Sequence, residues 1–170
     1  MVDWPVIVEQ HGPYVWRTAF RLLSDREEAS DCYQETFLKA VEYSNKQEIT
    51  NWTGLLKRIA TSRALDRLRR RYRNRDENLN NSEAVLTREP APDEPMQQQE
   101  WMDRFRQVLA ELPDRQAEVF WLSEVETLEH KEIAEQLGAT AQQVATWLHR
   151  AKQKLRQLLV ERGFVGEVKS

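Results

Sequence analysis

Residues 131–159, KEIAEQLGATAQQVATWLHRAKQKLRQLL, admit few folds. Ile133, Ala134 and Leu137 place apolar side chains on one face of a first helix. Gly138 follows, with the backbone freedom that a helix end commonly needs. Thr140 and Gln143 have the spacing of a capping box and open a second helix. Val144, Leu148, Ala151, Leu155 and Leu158 then recur at steps of four and three, one buried stripe along that helix. Small Ala134 lets the two helices cross closely, and Val144 plugs the crossing. The pattern is that of a helix-turn-helix, whose second helix would be expected to lie in a DNA major groove.

The polar side chains of that second helix suit the task. Gln142, Gln143, Thr146, His149 and Arg150 fall opposite the apolar stripe, near the helix start, where base edges are read. Glutamine pairs with adenine and arginine with guanine. Lys152, Lys154 and Arg156 follow, and no acid occurs between Gln136 and Val160. A solvated basic hairpin would show the same amphipathicity, so the remaining chain must decide.

The chain has 170 residues, 40% hydrophobic and 31% charged, enough for one or two small cores. Five glycines and the near absence of alternating apolar residues predict an all-α protein. No apolar run is long enough to cross a bilayer, so membrane insertion is not expected. The start, MVDWPVIVEQ, lacks the basic and apolar parts of a signal peptide. One cysteine, Cys32, excludes an internal disulfide and fits a reducing, cytoplasmic location. Three scattered histidines give no metal-ligand spacing, and no catalytic constellation or cofactor motif is found.

The net charge of −3 hides a segregation. Residues 1–75 carry 14 Lys+Arg against 10 Asp+Glu, whereas residues 76–100 carry Arg88 against seven acids. The predicted organisation is two small helical domains, 1–75 and 100–170, joined by an acidic flexible linker over 76–99. In the first domain, residues 4–23 read as helix interrupted at Gly12-Pro13. Ser24 and Glu27 have capping-box spacing before a helix from about Asp25 to Tyr43. Its buried side is Ala29, Cys32, Tyr33, Phe37 and Ala40; Asp31, Gln34, Glu35 and Leu38 fall toward the other side, where Leu38 among acids hints at a partner.

After a polar loop at 44–50, a helix starts near Asn51 and runs to about Arg73. Its apolar stripe is Leu55, Leu56, Ile59, Leu65 and Leu68. Between residues 57 and 75 it carries nine Lys and Arg and only Asp66 as an acid. Such a run repels itself unless an anion lies alongside, and phosphate contacts of this kind weaken steeply with salt. Trp52, at the mouth of the helix, suits either stacking on an unpaired base or a place in the core.

Taken together, HGPYVWRTAFRLL, DCYQETFLKA, LLKRIATSRALDRLRRR, LPDRQAEVFWL, KEIAEQLG and VATWLHRAKQKLRQLL, in this order, resemble bacterial RNA polymerase sigma factors of the extracytoplasmic-function (ECF) class. The resemblance covers roughly residues 5–75 and 100–160. It implies a protein that binds core RNA polymerase and promoter DNA and catalyses nothing itself. On it, Asp31, Gln34, Glu35 and Leu38 dock on the polymerase clamp helices. Trp52, Arg58, Ser62, Arg63, Arg67, Arg70 and Arg71 engage the minus-ten element. Thr140, Gln142, Gln143, Thr146, His149, Arg150, Lys152 and Lys154 engage the minus-thirty-five element. The linker threads polymerase channels, and an anti-sigma protein is a frequent further partner in the family.

The chain departs from the family where Ser62 replaces the usual Asn and where Ala145 and Trp147 stand at commonly basic positions. Glu129 replaces a capping Ser or Thr, and the turn EVETLE lacks the usual glycine. Two other readings remain. A dimeric helix-turn-helix regulator explains residues 100–160 but leaves the first half without a task; a protein-only helical adaptor predicts no salt-dependent DNA affinity.

Overall fold

The computed structural model describes residues 1–81 and 98–164. Its elements are α1 (Trp4–Leu23), α2 (Arg26–Lys46), α3 (Trp52–Asn81), α4 (Gln98–Glu111), α5 (Asp114–Phe120), a π-helical turn (Trp121–Val125), α6 (His130–Leu137) and α7 (Ala141–Glu161). The described residues form no strand, as the glycine-poor, non-alternating sequence predicts.

Several boundaries differ from the sequence expectation. Helix α1 runs unbroken through Pro13. Proline removes one intrahelical hydrogen bond, but α1 is pinned by packing here: Gly12 is buried, and a Cβ on it would lie 2.7 Å from the Tyr33 hydroxyl on α2. Ser24 does not cap α2. It closes α1 in a left-handed conformation (φ 52°), and Asp25 takes the cap, accepting from Glu28 N at 2.9 Å. Asn51 caps α3 as expected, accepting from Gly54 N at 2.9 Å. α3 continues to Asn81, so residues 76–81 of the expected linker are helical, and α4 takes up its last two residues. The rest of that linker lies outside the described residues. Helix α5 begins at Asp114, with Pro113 as its N-cap.

Three apolar clusters hold the molecule together. One lies within the first half and includes Val15, Ala40, Leu55, Leu56, Ile59 and Ala60. One lies within the second half and includes Val119, Leu122, Ile133, Val144 and Leu148. The third joins the halves: Leu22, Leu23, Cys32, Leu65 and Leu68 pack with Val108, Leu109, Leu112, Trp121 and Leu155. Each fully buried Leu or Val contributes roughly 1.5–3 kcal/mol of apolar transfer. Polar ties cross the same seam. Arg106 Nε donates to Arg21 O at 2.9 Å, and the Tyr72 hydroxyl donates to Asp103 O at 3.4 Å. The two helical halves are therefore closed on one another.

Candidate nucleic-acid interface

The helix-turn-helix forms as its sequence dictates. Gly138 ends α6 at φ 64°. Thr140 Oγ1 accepts from Gln143 N at 3.1 Å, while Gln143 Oε1 accepts from Thr140 N at 2.9 Å. This reciprocal box satisfies two backbone donors and fixes where α7 begins. Ile133, Ala134, Val144 and Leu148 are buried at the crossing. Glu129 caps α6 without a side-chain hydrogen bond, so its loss of the hydroxyl is not made good.

On α7, Gln142, Gln143, Thr146, His149, Arg150, Lys152 and Lys154 are all exposed. Thr140, Gln142, Gln143, Thr146, Trp147 and Arg150 line a shallow groove of about 440 Å³ at the start of the helix. Trp147 is half-buried against the helix-turn-helix core, so it acts first as packing at a position of the reading helix. Lys152 pairs with Glu124 at 2.7 Å, with both partners largely in water, where such a pair is weak and easily exchanged for phosphate.

The basic helix α3 divides into two sets of arginines. Arg70, Arg73 and Arg75 are exposed, as a phosphate-binding role requires. Arg67 and Arg71 turn inward to α2. Arg67 Nη2 bonds Glu35 Oε1; Arg71 Nη2 bonds Glu28 Oε2 and donates to Leu23 O at 2.7 Å. Arg69 lies 3.2 Å from Asp66 and 3.3 Å from Asp114. The run's self-repulsion is thus relieved largely by acids from neighbouring helices, where the sequence alone suggested an external anion. The partners Glu35, Glu28 and Asp114 were not predictable, because each lies on another element; only Asp66 is on α3 itself.

Arg58 is half-buried, with its guanidinium 5.2 Å from the Tyr43 ring centre, and its hydrogen bond is the main cause lowering the Tyr43 pKa. Arg58, Tyr43 and the loop Gln47–Asn51 line a pocket of about 510 Å³, closed on the far side by Arg115 and Glu135–Gly138. Ser62 and Arg69 line a second pocket of about 410 Å³ with Asp114, Arg115 and Glu118. Burial raises the Glu118 carboxyl, opposed by Arg115, Arg58 and Arg69. Arg63 is half-buried on the same helix. Trp52 is half-buried, edge-on to Trp4 with ring centres 5.6 Å apart, and packs on the first-half core; of its two sequence readings, packing is the one realised in this conformation.

On α2, Asp31, Gln34 and Leu38 are exposed, Leu38 at 67%. Glu35 is half-exposed and already engaged by Arg67. Cys32 is fully buried, and burial pushes its thiol up to about 11, so it is a core residue. No helix among the described residues is long and apolar enough to cross a membrane.

The sequence reading missed a buried polar cluster around Glu126. Glu126 Oε1 accepts from Thr18 Oγ1 at 2.6 Å and from Trp121 Nε1 at 3.1 Å. Lys57 Nζ donates to the Glu126 carbonyl at 3.2 Å. An acid in a polar turn carries no sequence signal of burial, and two of its partners, Lys57 and Thr18, are 69 and 108 positions away.

A polar, basic recognition helix on a helix-turn-helix, joined to a helical unit with a basic helix and an exposed acidic face, is an arrangement suited to meeting DNA. The chain belongs to the sigma-70 family, in its ECF class: residues 7–74 match Sigma-70 region 2 and residues 102–155 match Sigma-70, region 4. It is similar to the ECF RNA polymerase sigma factor SigE of Mycolicibacterium smegmatis, 31% identical over 162 residues. That match covers 95% of this chain and 63% of the SigE chain, so this chain spans under two thirds of that relative. The ECF RNA polymerase sigma factor SigW of Bacillus subtilis is 26% identical over 165 residues, covering 90% of this chain and 87% of SigW. Among solved structures, the sigma factor RpoE in its co-crystal with the anti-sigma factor NepR from Bartonella quintana shares the fold. Its TM-score is 0.56 at 22% identity, with 92% of this chain and 96% of RpoE covered.

Proposed function

We propose that this chain is a sigma factor that binds core RNA polymerase and directs promoter-specific transcription initiation. The observation that carries the reading is the capped α7, which exposes Gln142, Gln143, Thr146, His149 and Arg150 together on a helix start. On this reading that face reads the minus-thirty-five element in the major groove, and Lys152 and Lys154 hold phosphates. The α3 face with Arg58, Ser62, Arg63 and Arg70, together with the loop 47–51, engages the minus-ten element. Arg67 and Arg71 support it from behind through α2. The exposed Asp31, Gln34 and Leu38 dock on core polymerase, with Glu35 at the edge. The functional units are then 1–75 and 100–170.

Nucleotide joining belongs to the polymerase, and the place of action is the cytoplasm. RpoE was crystallised with an anti-sigma factor, and we propose a partner of that kind here. A dimeric helix-turn-helix regulator leaves the exposed stripe of α2 and the outer arginines of α3 unused. The test is in vitro transcription with core enzyme and a promoter from the protein's own operon. Specific start-site selection is expected; absence of both core binding and start-site selection removes the reading.

A further inference from the structure

Gln143 and Trp147 stand one turn apart on α7, side by side on one row of the helix. Both line the 440 Å³ groove at the helix start, with Thr140, Gln142, Thr146 and Arg150 around them.

The hydrogen bonds inside the groove decide what its polar groups can still offer. Gln143 Oε1 accepts from Thr140 N at 2.9 Å, so the carbonyl half of its amide is committed to the capping box. Its Nε2 is left to donate. Thr146 Oγ1 donates to Gln142 O at 3.0 Å, which takes its only hydrogen. Gln143 is therefore unable to make the paired donor and acceptor contacts by which a free glutamine reads adenine.

Trp147 supplies the other half of the pattern. Val144, Leu148, Ala151 and Leu155 lie buried in the apolar stripe of α7. Trp147 instead packs part of its ring on that core and turns the rest to the groove. An indole here offers base edges an apolar wall and brings no positive charge to a phosphate.

A donor beside an apolar wall suits one base. In the major groove thymine presents the O4 acceptor and the C5-methyl group. Guanine has acceptors but no methyl to set against the indole. Adenine would place its N6 donor where Gln143 has no acceptor free, and cytosine would set its N4 donor against Nε2. We propose that Gln143 and Trp147 form a thymine-reading pair, in which Nε2 donates to O4 and the indole packs on the C5-methyl group. The proposal rests on the promoter-binding reading of α7 and makes Trp147 a specificity-determining residue of the minus-thirty-five contact.

The experiment uses holoenzyme, core polymerase with the full chain, on a fluorescein-labelled duplex carrying the promoter of the protein's own operon. Footprinting first marks the protected thymines of the minus-thirty-five half. Each is then replaced in turn by deoxyuridine, which removes only the methyl group. A second series uses 5-methyldeoxycytidine paired with guanine, which keeps the methyl and exchanges the O4 acceptor for a donor. At one thymine, deoxyuridine is expected to weaken binding roughly three- to fivefold, the worth of one buried methyl. The 5-methyldeoxycytidine pair should weaken it about tenfold.

In Trp147→Ala the deoxyuridine effect at that thymine should vanish. Gln143→Glu keeps the capping box, since a glutamate oxygen also accepts from Thr140 N, but it has no donor. It should invert the preference there, favouring 5-methyldeoxycytidine over thymidine. Circular dichroism checks that both variants fold. If Trp147→Ala loses helicity, the base replacements on wild-type protein and Gln143→Glu carry the test.

Indifference of every protected thymine to deoxyuridine, while Arg150→Ala still weakens binding, overturns the pair and leaves the promoter reading of α7 intact. A deoxyuridine effect undiminished in folded Trp147→Ala, or a thymine preference unchanged in Gln143→Glu, overturns it as well. Absence of any protection over the minus-thirty-five half removes the promoter reading of α7, and the pair with it.

Discussion

Arg67 is bonded to Glu35 across the α2–α3 contact, so a side chain from the most basic helix of the chain is spent on its neighbour. The same helix turns Arg70 outward to solvent. Adjacent arginines of one run therefore have different tasks, and substitutions should separate them.

Arg67→Ala is expected to lower stability by about 1–2 kcal/mol, because it strips packed stem and leaves Glu35 without its partner. Arg70→Ala should stay within about 0.5 kcal/mol of wild-type stability. It should instead reduce the slope of log affinity against log salt by about one unit. Urea unfolding together with a salt titration of DNA binding checks both; a stability loss for Arg70→Ala as large as for Arg67→Ala would contradict the division.

Leu38 is the natural probe of polymerase docking, since it is 67% exposed and supports no core. Leu38→Asp should leave helicity and melting nearly unchanged while weakening holoenzyme formation about tenfold or more. Glu35→Lys is a poorer probe, because it also sets a cation against Arg67. Co-purification with core enzyme at equal protein concentrations reads the effect, and undiminished binding of Leu38→Asp would remove the stripe from the interface.

On the reading helix, Arg150→Ala should weaken binding to the cognate minus-thirty-five element by about 1–3 kcal/mol without loss of stability. Thr140→Ala acts differently. It deletes the cap that accepts from Gln143 N and should cost about 1 kcal/mol of stability. Gel-shift assays on promoter fragments and thermal melts distinguish the two; equal binding by Arg150→Ala would contradict its role at base edges.

Alkaline pH should loosen the fold with a predictable sign. Burial raises the Cys32 thiol from 9.0 to about 11 and the Tyr14 hydroxyl from 10.0 to about 12. Both groups are neutral when protonated, and their folded-state values exceed the unfolded ones. Their contribution is complete below pH 9 and is lost as pH climbs from about 9 to 12. Urea midpoints should hold steady up to pH 9 and then fall, less steeply in Cys32→Ala. At pH 8 only about one thiol in a thousand is ionised, so native protein should resist a thiol reagent that labels it at once in denaturant.

Local structure was legible because it depends on neighbours in sequence. Gly138, the Thr140–Gln143 box and the α7 stripe fix a helix-turn-helix wherever they occur, and all three form as their spacing predicts. The apolar stripe of α3 and the buried Cys32 were legible for the same reason. Pro13 shows the limit: local preference marked a break, and packing of Gly12 under Tyr33 overrode it.

Only the tertiary structure decided which charges remain free. Glu28 and Glu35 meet Arg71 and Arg67, Asp114 meets Arg69, and Glu126 meets Thr18 and Lys57, because helices distant in sequence were brought within hydrogen-bond or ion-pair reach. The sequence by itself determined the helices and the face each must bury, since hydrophobic periodicity is a property of a single helix. Which polar side chains are spent inside the molecule, and whether the halves stand apart or closed, depends on approach between helices, and a linear pattern holds no record of that distance.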